Sequence, residues 1–385
     1  NSSVGLTTSV GITSVFFEPF DAERYSIHYP DGSTEKLTDD QFSIVNGGET
    51  VTFSGLSKSS GAAVVNVTLK KLGTTSKTKD FVRSQTLEVT RTSRVNTINS
   101  GLTTTSNYGM RVEDEEISLN VPDVVNIVAI YESKDTNTPV LDKLTFVSGL
   151  ALNTDSIVGE KIIGKDSRAI GQIVSRTANT VDFVYLNGNQ FTVGELINFE
   201  ESNIETILQG VTVGNFIDRT TNYTLDKGHK LQYCDYSKII RNANAGAPSK
   251  KLLIIFDQFQ SGISGDVFTV NSYTAERYAK DIPILAGQIP ASDIIDYRPR
   301  VKPFNLSDFG NSTNVSPFAF TSRSFETSNP FVITPNESSI MGFDYYVGRI
   351  DKVIIGQEEN VDVVEGESAE NPVTPSVNTD AMEIA

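Results

Sequence analysis

Two histidines, His28 and His229, and one cysteine, Cys234, are the side chains in this sequence best suited to proton transfer, nucleophilic attack or metal ligation. Their surroundings point away from all three. His28 lies in Arg24-Tyr25-Ser26-Ile27-His28-Tyr29, out of phase with Tyr25, Ile27 and Tyr29, which share one face of a strand at period two. His229 follows Gly228 in a turn, and neither histidine has a Cys, Asp or Glu at a spacing that favours zinc. Cys234, within Tyr233-Cys234-Asp235-Tyr236, has no basic neighbour in sequence to lower its pKa and reads as a buried, inert thiol. A lone cysteine also excludes an intramolecular disulfide and a thiolate metal cluster.

The carboxylates are equally unselective. Glu113-Asp114-Glu115-Glu116 is the densest run, but consecutive residues on a strand alternate faces, so a solvated edge is expected rather than a Ca²⁺ or Mg²⁺ site. No pair stands out for glycoside hydrolysis, and the absence of Trp removes the commonest sugar-stacking platform. G-x-S-x-G, P-loop and dinucleotide fingerprints are missing. The sequence therefore predicts no catalytic residue, no metal, no cofactor and no enzyme. Sequons at Asn1, Asn66, Asn222, Asn305, Asn311, Asn314 and Asn336 are what chance gives in a chain so rich in Asn, Ser and Thr.

The formal charge of −16, without any basic run, argues against a nucleic-acid surface. No stretch approaches the roughly 18 apolar residues of a membrane span, so no membrane insertion is expected. The chain starts at Asn1 without a Met or a signal-like apolar stretch, and reads as a processed or partial piece of something longer. With 38% hydrophobic residues in 385, several small cores are expected rather than one large one.

The elements that would position these residues are short and β-like. Residues 1–95 alternate strands and turns at roughly ten-residue spacing, a rhythm that predicts an immunoglobulin-like β-sandwich. Pro30-Asp31-Gly32 is one of its turns. Residues 92–107 read as a linker. A second, central β-domain is expected from 96–149 and 214–303. It includes Lys251-Leu252-Leu253-Ile254-Ile255-Phe256, a continuous apolar run that predicts a central strand buried on both faces. Val267 to Tyr273 reads as another strand, and short helices are expected near 275–280 and 292–295, the latter with Ser292 as N-cap.

Between the two pieces lies an echo. Val158-Gly159-Glu160-Lys161-Ile162 returns 35 residues later as Val193-Gly194-Glu195-Leu196-Ile197. Residues 150–213 are therefore expected to form an inserted small barrel, SH3-like in size. From 304 to 385 the chain reads as an extended interaction arm and tail. Phe304, Phe309, Phe318, Phe320, Phe325 and Phe331 are scattered singly along polar sequence, a pattern of anchors for pockets on another domain or subunit. Tyr345-Tyr346-Val347 and Lys352-Val353-Ile354-Ile355 suggest a hairpin, with Arg349 and Asp351 on one strand face, free to pair across a subunit boundary or with Arg298 and Arg300. The acidic end from Glu365 reads as an exposed tail.

Three stretches carry a resemblance. They are Tyr108-Gly109-Met110-Arg111-Val112 running to Leu119 and on through Val128-Ala129-Ile130-Tyr131-Glu132-Ser133; Tyr223-Thr224-Leu225-Asp226-Lys227-Gly228-His229 through Tyr233-Cys234-Asp235-Tyr236 to Phe256-Asp257; and Phe343-Asp344-Tyr345-Tyr346-Val347-Gly348-Arg349-Ile350-Asp351-Lys352 with Gly366-Glu367-Ser368 after it. Over roughly 108–375 the chain resembles tail-associated structural proteins of tailed phages, including T4-like cyanophages. The resemblance implies a virion component at the baseplate or proximal tail fibre, assembled in the host cytoplasm. It also implies other tail or baseplate proteins as partners, and closed cyclic symmetry with fibre attachment through the 304–340 arm favours a homotrimer. The candidate subunit contacts are the six phenylalanines with Arg349 and Asp351. The competing expectation is a carbohydrate-binding adhesin for a host surface glycan.

Overall fold

In the computed structural model, the residues described are 5–9, 14–58, 61–90, 111–262, 264–274, 277, 281–285, 287–305, 316–319, 323–325, 345, 347–356, 360–377 and 381–384. The 92–107 linker and Phe309, Phe320 and Phe331 lie outside them. The chain divides into two compact units, Asn1–Ile333 and Thr334–Ala385, and is mainly β, as its strand-length periodicities predict.

The first unit opens with eight short strands: β1 Gly5–Ser9, β2 Val15–Phe17, β3 Tyr25–His28, β4 Thr34–Glu35, β5 Phe42–Val45, β6 Thr50–Ser54, β7 Val64–Val67 and β8 Leu69–Lys71. They form sheets β1-β6-β5 and β4-β3-β7 and the pair β2-β8. These enclose a core of Phe17, Tyr25, Ile27, Leu37, Val51 and Phe53. Tyr25 and Ile27 point inward, as the period-two pattern requires, and His28 points out to Ser26 Oγ at 3.0 Å and Thr34 Oγ1 at 3.2 Å. Gly32 takes φ +83° in the expected turn.

The eleven-residue strand β9 (Lys79–Val89) departs from the expected 1–95 grouping. It pairs along the length of a later strand, with Leu87 opposite Ile254 and Val89 opposite Leu252. Period-two alternation marks a strand but carries no record of its partner, and β9 has the length and apolar end residues to complete a distant sheet.

The central strands are β10 Glu116–Pro122, β11 Val124–Ser133, then, beyond the barrel, β18 Phe216–Asp218, β19 Tyr223–Asp226, β20 Tyr236–Arg241 and β21 Leu252–Ser261. They build two sheets, β18-β11-β21-β9 and β10-β20-β19. Strand β21 is buried without a break from Leu252 to Phe259. Leu252, Ile254 and Phe256 face Ile117, Leu119 and Ile239 of the neighbouring sheet, while Leu253 and Ile255 face Val174 and Val184 of the barrel. The continuous apolar run thus reflects burial on both faces, although the ladders on either side are antiparallel. Each fully buried Ile here stabilises the fold by about 1.5–3 kcal/mol.

The barrel is closed and six-stranded: β12 Asp142–Phe146, β13 Lys161–Gly164, β14 Ile170–Arg176, β15 Thr180–Tyr185, β16 Leu196–Phe199 and β17 Glu205–Thr212, in the cyclic order β12-β15-β14-β13-β16-β17. It begins at Asp142 rather than near 150, because β12 closes the gap between β15 and β17. The echoed segments occupy equivalent places. Gly159 N–H donates to Ile173 O and Gly194 N–H to Leu208 O, both at 2.8 Å. Ile173 N–H donates to Glu160 O and Leu208 N–H to Glu195 O. Both glycines have positive φ, as do Arg168 and Asn203 at the matching hairpin tips. Residue n and residue n + 35 make the same bonds in each of these pairs, which relates the two halves by an internal two-fold.

The two echoed glutamates are buried and reciprocal. Glu160 accepts backbone N–H groups from Ile157, Glu201 and Ser202, and Glu195 accepts them from Thr192, Asp166 and Ser167. Each half's carboxylate therefore ties down the other half's hairpin tip.

Elsewhere the sequence expectations need correcting. Val267–Tyr273 is not a strand: Val267 and Phe268 make isolated bridges to Ser76 and Asp296, and Val270–Ser272 is a 3₁₀ turn capped by Thr269. Ala291–Asp293 is also a 3₁₀ turn, entered from Pro290, with the Ser292 hydroxyl bonded to Asp293 rather than capping. It follows the tight hairpin of β22 Ile284–Leu285 and β23 Ile289–Pro290. In the 275–280 segment only Arg277 is among the described residues.

The second unit carries β24 Lys352–Ile355, β25 Val361–Val364 and β26 Met382–Glu383, in the order β25-β24-β26. The partner of β24 is therefore 361–364, not 345–347, and the acidic end contributes a strand rather than trailing free.

Candidate functional site

The densest grouping of chemically capable side chains is one the linear sequence hides. A single residue, Asp123, separates β10 from β11 and takes φ +58°, carrying the chain from one central sheet to the other. Its carboxylate is wholly buried. Lys79 Nζ, at the start of β9, lies 3.0 Å from Oδ2, and the Arg300 guanidinium pairs with the same oxygen. His229 Nε2 lies 3.0 Å from Oδ1, off the hydrogen-bond axis, so this contact is an ion pair more than a hydrogen bond. The Cys234 thiol donates to Oδ1 at 3.5 Å.

A second layer completes the cluster. Lys79 Nζ donates to Tyr273 Oη at 2.8 Å and lies 4.8 Å from the Phe268 ring centre. Arg300 stacks over Phe268 at 4.3 Å and donates to Ser261 Oγ. Arg298 Nη2 lies 3.3 Å from His229 Nδ1 and pairs with Asp296 at 2.7 Å. Burial alone would push the Asp123 carboxyl up, yet Arg300 and Lys79, then His229, hold it well below the usual carboxylate range. Burial pulls the Lys79 ammonium down against the opposing field of Asp123. Burial also works against a charged His229, but Asp123 and Cys234 raise its pKa to about 9.

Two chemistries are conceivable from the residue types and neither suits the geometry. Asp123, His229 and Cys234 bring one ligand atom each within 4.8 Å of one another, a spacing that a metal ion would accept. However, Lys79 and Arg300 already supply the positive charge at the shared carboxylate, and the two ring nitrogens of His229 are divided between Asp123 and Cys234. Cys, His and Asp in contact also suggest a nucleophile with its base. Yet Cys234 is 1% exposed, and its thiol hydrogen is directed at Asp123. What the arrangement does is join chain segments near 79, 123, 229–234, 268–273 and 296–300 through charges that have no water to fall back on.

Beside it lies a cleft of about 240 Å³ bordered by Asp226, Tyr233, Asp235, Lys238, Phe318 and Arg323. Its floor is the 223–236 motif. Gly228, at φ +76°, lets the β19–β20 connection pass over Asp235 and Tyr236, whose carbonyl oxygens lie 2.5 and 2.7 Å from where a Cβ would be. Asp235 is gripped by Arg323 through two parallel bonds of 2.5 and 2.9 Å, and Arg323 also donates to Phe318 O. Tyr233 lies 3.4 Å from Asp235, a weaker contact than the grouping of Tyr and Asp in sequence suggests. Asp257 sits apart within β21, where it accepts from the Ser84 amide and Gln172 and anchors the barrel.

Of the residues singled out in sequence as subunit contacts, Phe304, Phe318, Phe325, Arg349 and Asp351 are among those described. Phe304 is buried against Tyr236 and Val301, Phe325 packs edge-on to Tyr233, and Phe318 borders the cleft near Lys238. The anchors that are described thus find their pockets on the same chain, because the 233–238 motif offers the aromatic faces they need. Arg349 pairs with Asp351 at 2.8 Å and with Glu365 at 3.2 Å, while Arg298 and Arg300 belong to the buried cluster. The acidic run is not a solvated edge throughout: Asp114 is buried beside Arg111, with Nε and Oδ1 3.6 Å apart.

Sequence reasoning missed Lys79, Asp123 and Arg300, and gave Cys234 and His229 no charged neighbours because those neighbours come from distant segments. One signal was present: a lone Asp after Pro122 between two strands without a turn-length linker, which forces an unusual backbone there. No protein-family model, curated protein or solved structure matches the chain.

Proposed function

We propose that the chain is a structural component of a phage tail, at the baseplate or proximal tail fibre, that works mechanically and performs no catalysis. The observation that carries this reading is the Asp123 cluster, where the one grouping of Cys, His and Asp is sealed from solvent and spent on holding remote segments together. The residues behind the phage-tail resemblance serve the same end. His229 and Cys234 enter the cluster, Gly228 permits the close crossing, and Asp235 holds Arg323. In this reading the front sheets form an immunoglobulin-like sandwich and the barrel an SH3-like module, both presented to neighbouring virion proteins from a stiff central body. A homotrimer is the assembly that the fibre-attachment role favours.

Antibody raised against the chain, applied to purified particles and viewed by negative-stain electron microscopy, should decorate the tail or its fibres. Antigen found only in the unassembled fraction overturns the reading.

A further inference from the structure

The sheet of the second unit has two unlike faces. In the antiparallel register Val353 lies opposite Val363, and Ile355 lies opposite both Val361 and Met382. The Ile384 amide donates to Val353 O at 2.8 Å and continues the pattern. Cross-strand partners share a face, so Val353, Ile355, Val361, Val363, Met382 and Ile384 form one entirely apolar face. The other face is mixed, with Ile354 and Val364 among Lys352, Asp362 and Glu383, and Lys352 and Glu383 paired at 2.9 Å. The mixed face has its charges paired, and the apolar face is bare: Val361, Val363, Met382 and Ile384 are 63, 57, 71 and 52% exposed. Among the described residues of this unit none is buried. Three short strands without a covered face are not stable on their own terms, and a contiguous apolar patch of this kind marks an interaction surface.

Charge decides what covers it. Residues 334–385 contain eleven Asp and Glu against two Lys and Arg, a net of −9. Both cations are already engaged, Arg349 by Asp351 and Glu365, and Lys352 by Glu383. Two copies of this sheet brought face to face would add like charges around a small apolar centre and have no free cation in either unit to offset them. We propose that the apolar face of β24–β26 docks a different protein, one whose contact surface is apolar at its centre and rimmed by Lys and Arg. The proposal rests on this sheet alone and survives if the phage-tail reading fails.

The test uses the full chain and a fluorescein-labelled peptide of about ten residues alternating Val and Lys, followed by anisotropy. Peptides alternating Val with Glu, and Ser with Lys, serve as controls. The Val/Lys peptide should bind at least about tenfold more tightly than either control and lose about tenfold or more with Val363→Asp or with Met382→Ser. Its affinity should fall as salt rises from about 0.05 to 0.5 M. Equal binding of the Ser/Lys peptide, equal binding of the Val/Glu peptide, or indifference to both substitutions overturns the proposal. So does light scattering that shows an oligomer of the full chain which Val363→Asp or Met382→Ser converts to monomer, since the occupant is then a second copy.

Discussion

Changing Glu195 to Gln leaves side-chain volume almost unchanged but places an NH₂ group where the barrel offers three backbone donors and one hydroxyl. Glu195 accepts from Thr192 N at 2.6 Å, Ser167 N at 2.9 Å, Asp166 N at 3.2 Å and Ser167 Oγ at 2.9 Å. An amide oxygen can keep one side of this set, the other side then sets NH₂ against at least one backbone N–H, and every remaining bond loses its charge assistance. One unpaired buried N–H at about 1–3 kcal/mol, with the weakening of the remaining bonds, gives a local loss of about 2–4 kcal/mol.

The loss falls on a defined place. In the full chain, native-state hydrogen exchange at the Asp166 and Ser167 amides should accelerate by about 30- to 1,000-fold, while those of Glu201 and Ser202 stay protected. Glu160→Gln should give the mirror image, exposing 201–202 and sparing 166–167. The pH dependence has a fixed sign. Burial would raise the Glu195 carboxyl, but its hydrogen bonds from Ser167 and Thr192 outweigh burial and lower it. Its stabilisation is therefore complete above the ordinary carboxylate range of about 4.3 and fades as pH falls through the depressed value, so the difference between wild type and Glu195→Gln should shrink in acid. Unchanged exchange at 166–167 in Glu195→Gln refutes the reciprocal arrangement of the two halves.

Other substitutions probe the central body. Asp123→Asn leaves Lys79 and Arg300 buried without a counter-charge and should cost about 3–5 kcal/mol, read from urea unfolding followed by far-UV circular dichroism. Gly228→Ala sets a Cβ against the Asp235 and Tyr236 carbonyls at a positive φ and should lower stability by at least about 2 kcal/mol in the same assay. Arg323→Ala removes both bonds to Asp235 and should speed chymotryptic cleavage after Phe318 by about tenfold or more without unfolding the barrel.

How much of this was legible differs by range. Strand β21 could be read from Leu252 to Phe256 because an unbroken apolar run reports two covered faces. The barrel could be read from the Val-Gly-Glu echo, since a repeated turn with a buried carboxylate repeats its local bonds. Its first strand could not, because β12 has no echoed sequence and is defined only by the neighbours it joins. The same limit hid the allegiance of β9, whose alternation is that of any half-buried strand. It also hid the neighbours of Phe304 and Phe325: isolated aromatics imply pockets, but the polar sequence around these two does not say that Tyr236 and Tyr233 pack against them.

The buried cluster is the extreme case. Lys79, Asp123, His229 with Cys234, and Arg300 lie in four separate segments, and each is unremarkable among its sequence neighbours. Charges with strong local partners stay near them, as Arg349 does with Asp351 and Glu365. A charge that folding buries away from local partners must find its counterpart across the fold, or the fold loses several kcal/mol per ion. Asp123 meets that condition with two cations, an imidazole and a thiol drawn from both flanks of the barrel insertion, so the cluster can form only once 79, 123, 229–234 and 300 have all arrived. This makes it a check on correct assembly of the central body. Its demand for every partner at once explains why His229 and Cys234 are held closed around Asp123 while the cleft beside them is lined by other residues of 226–238.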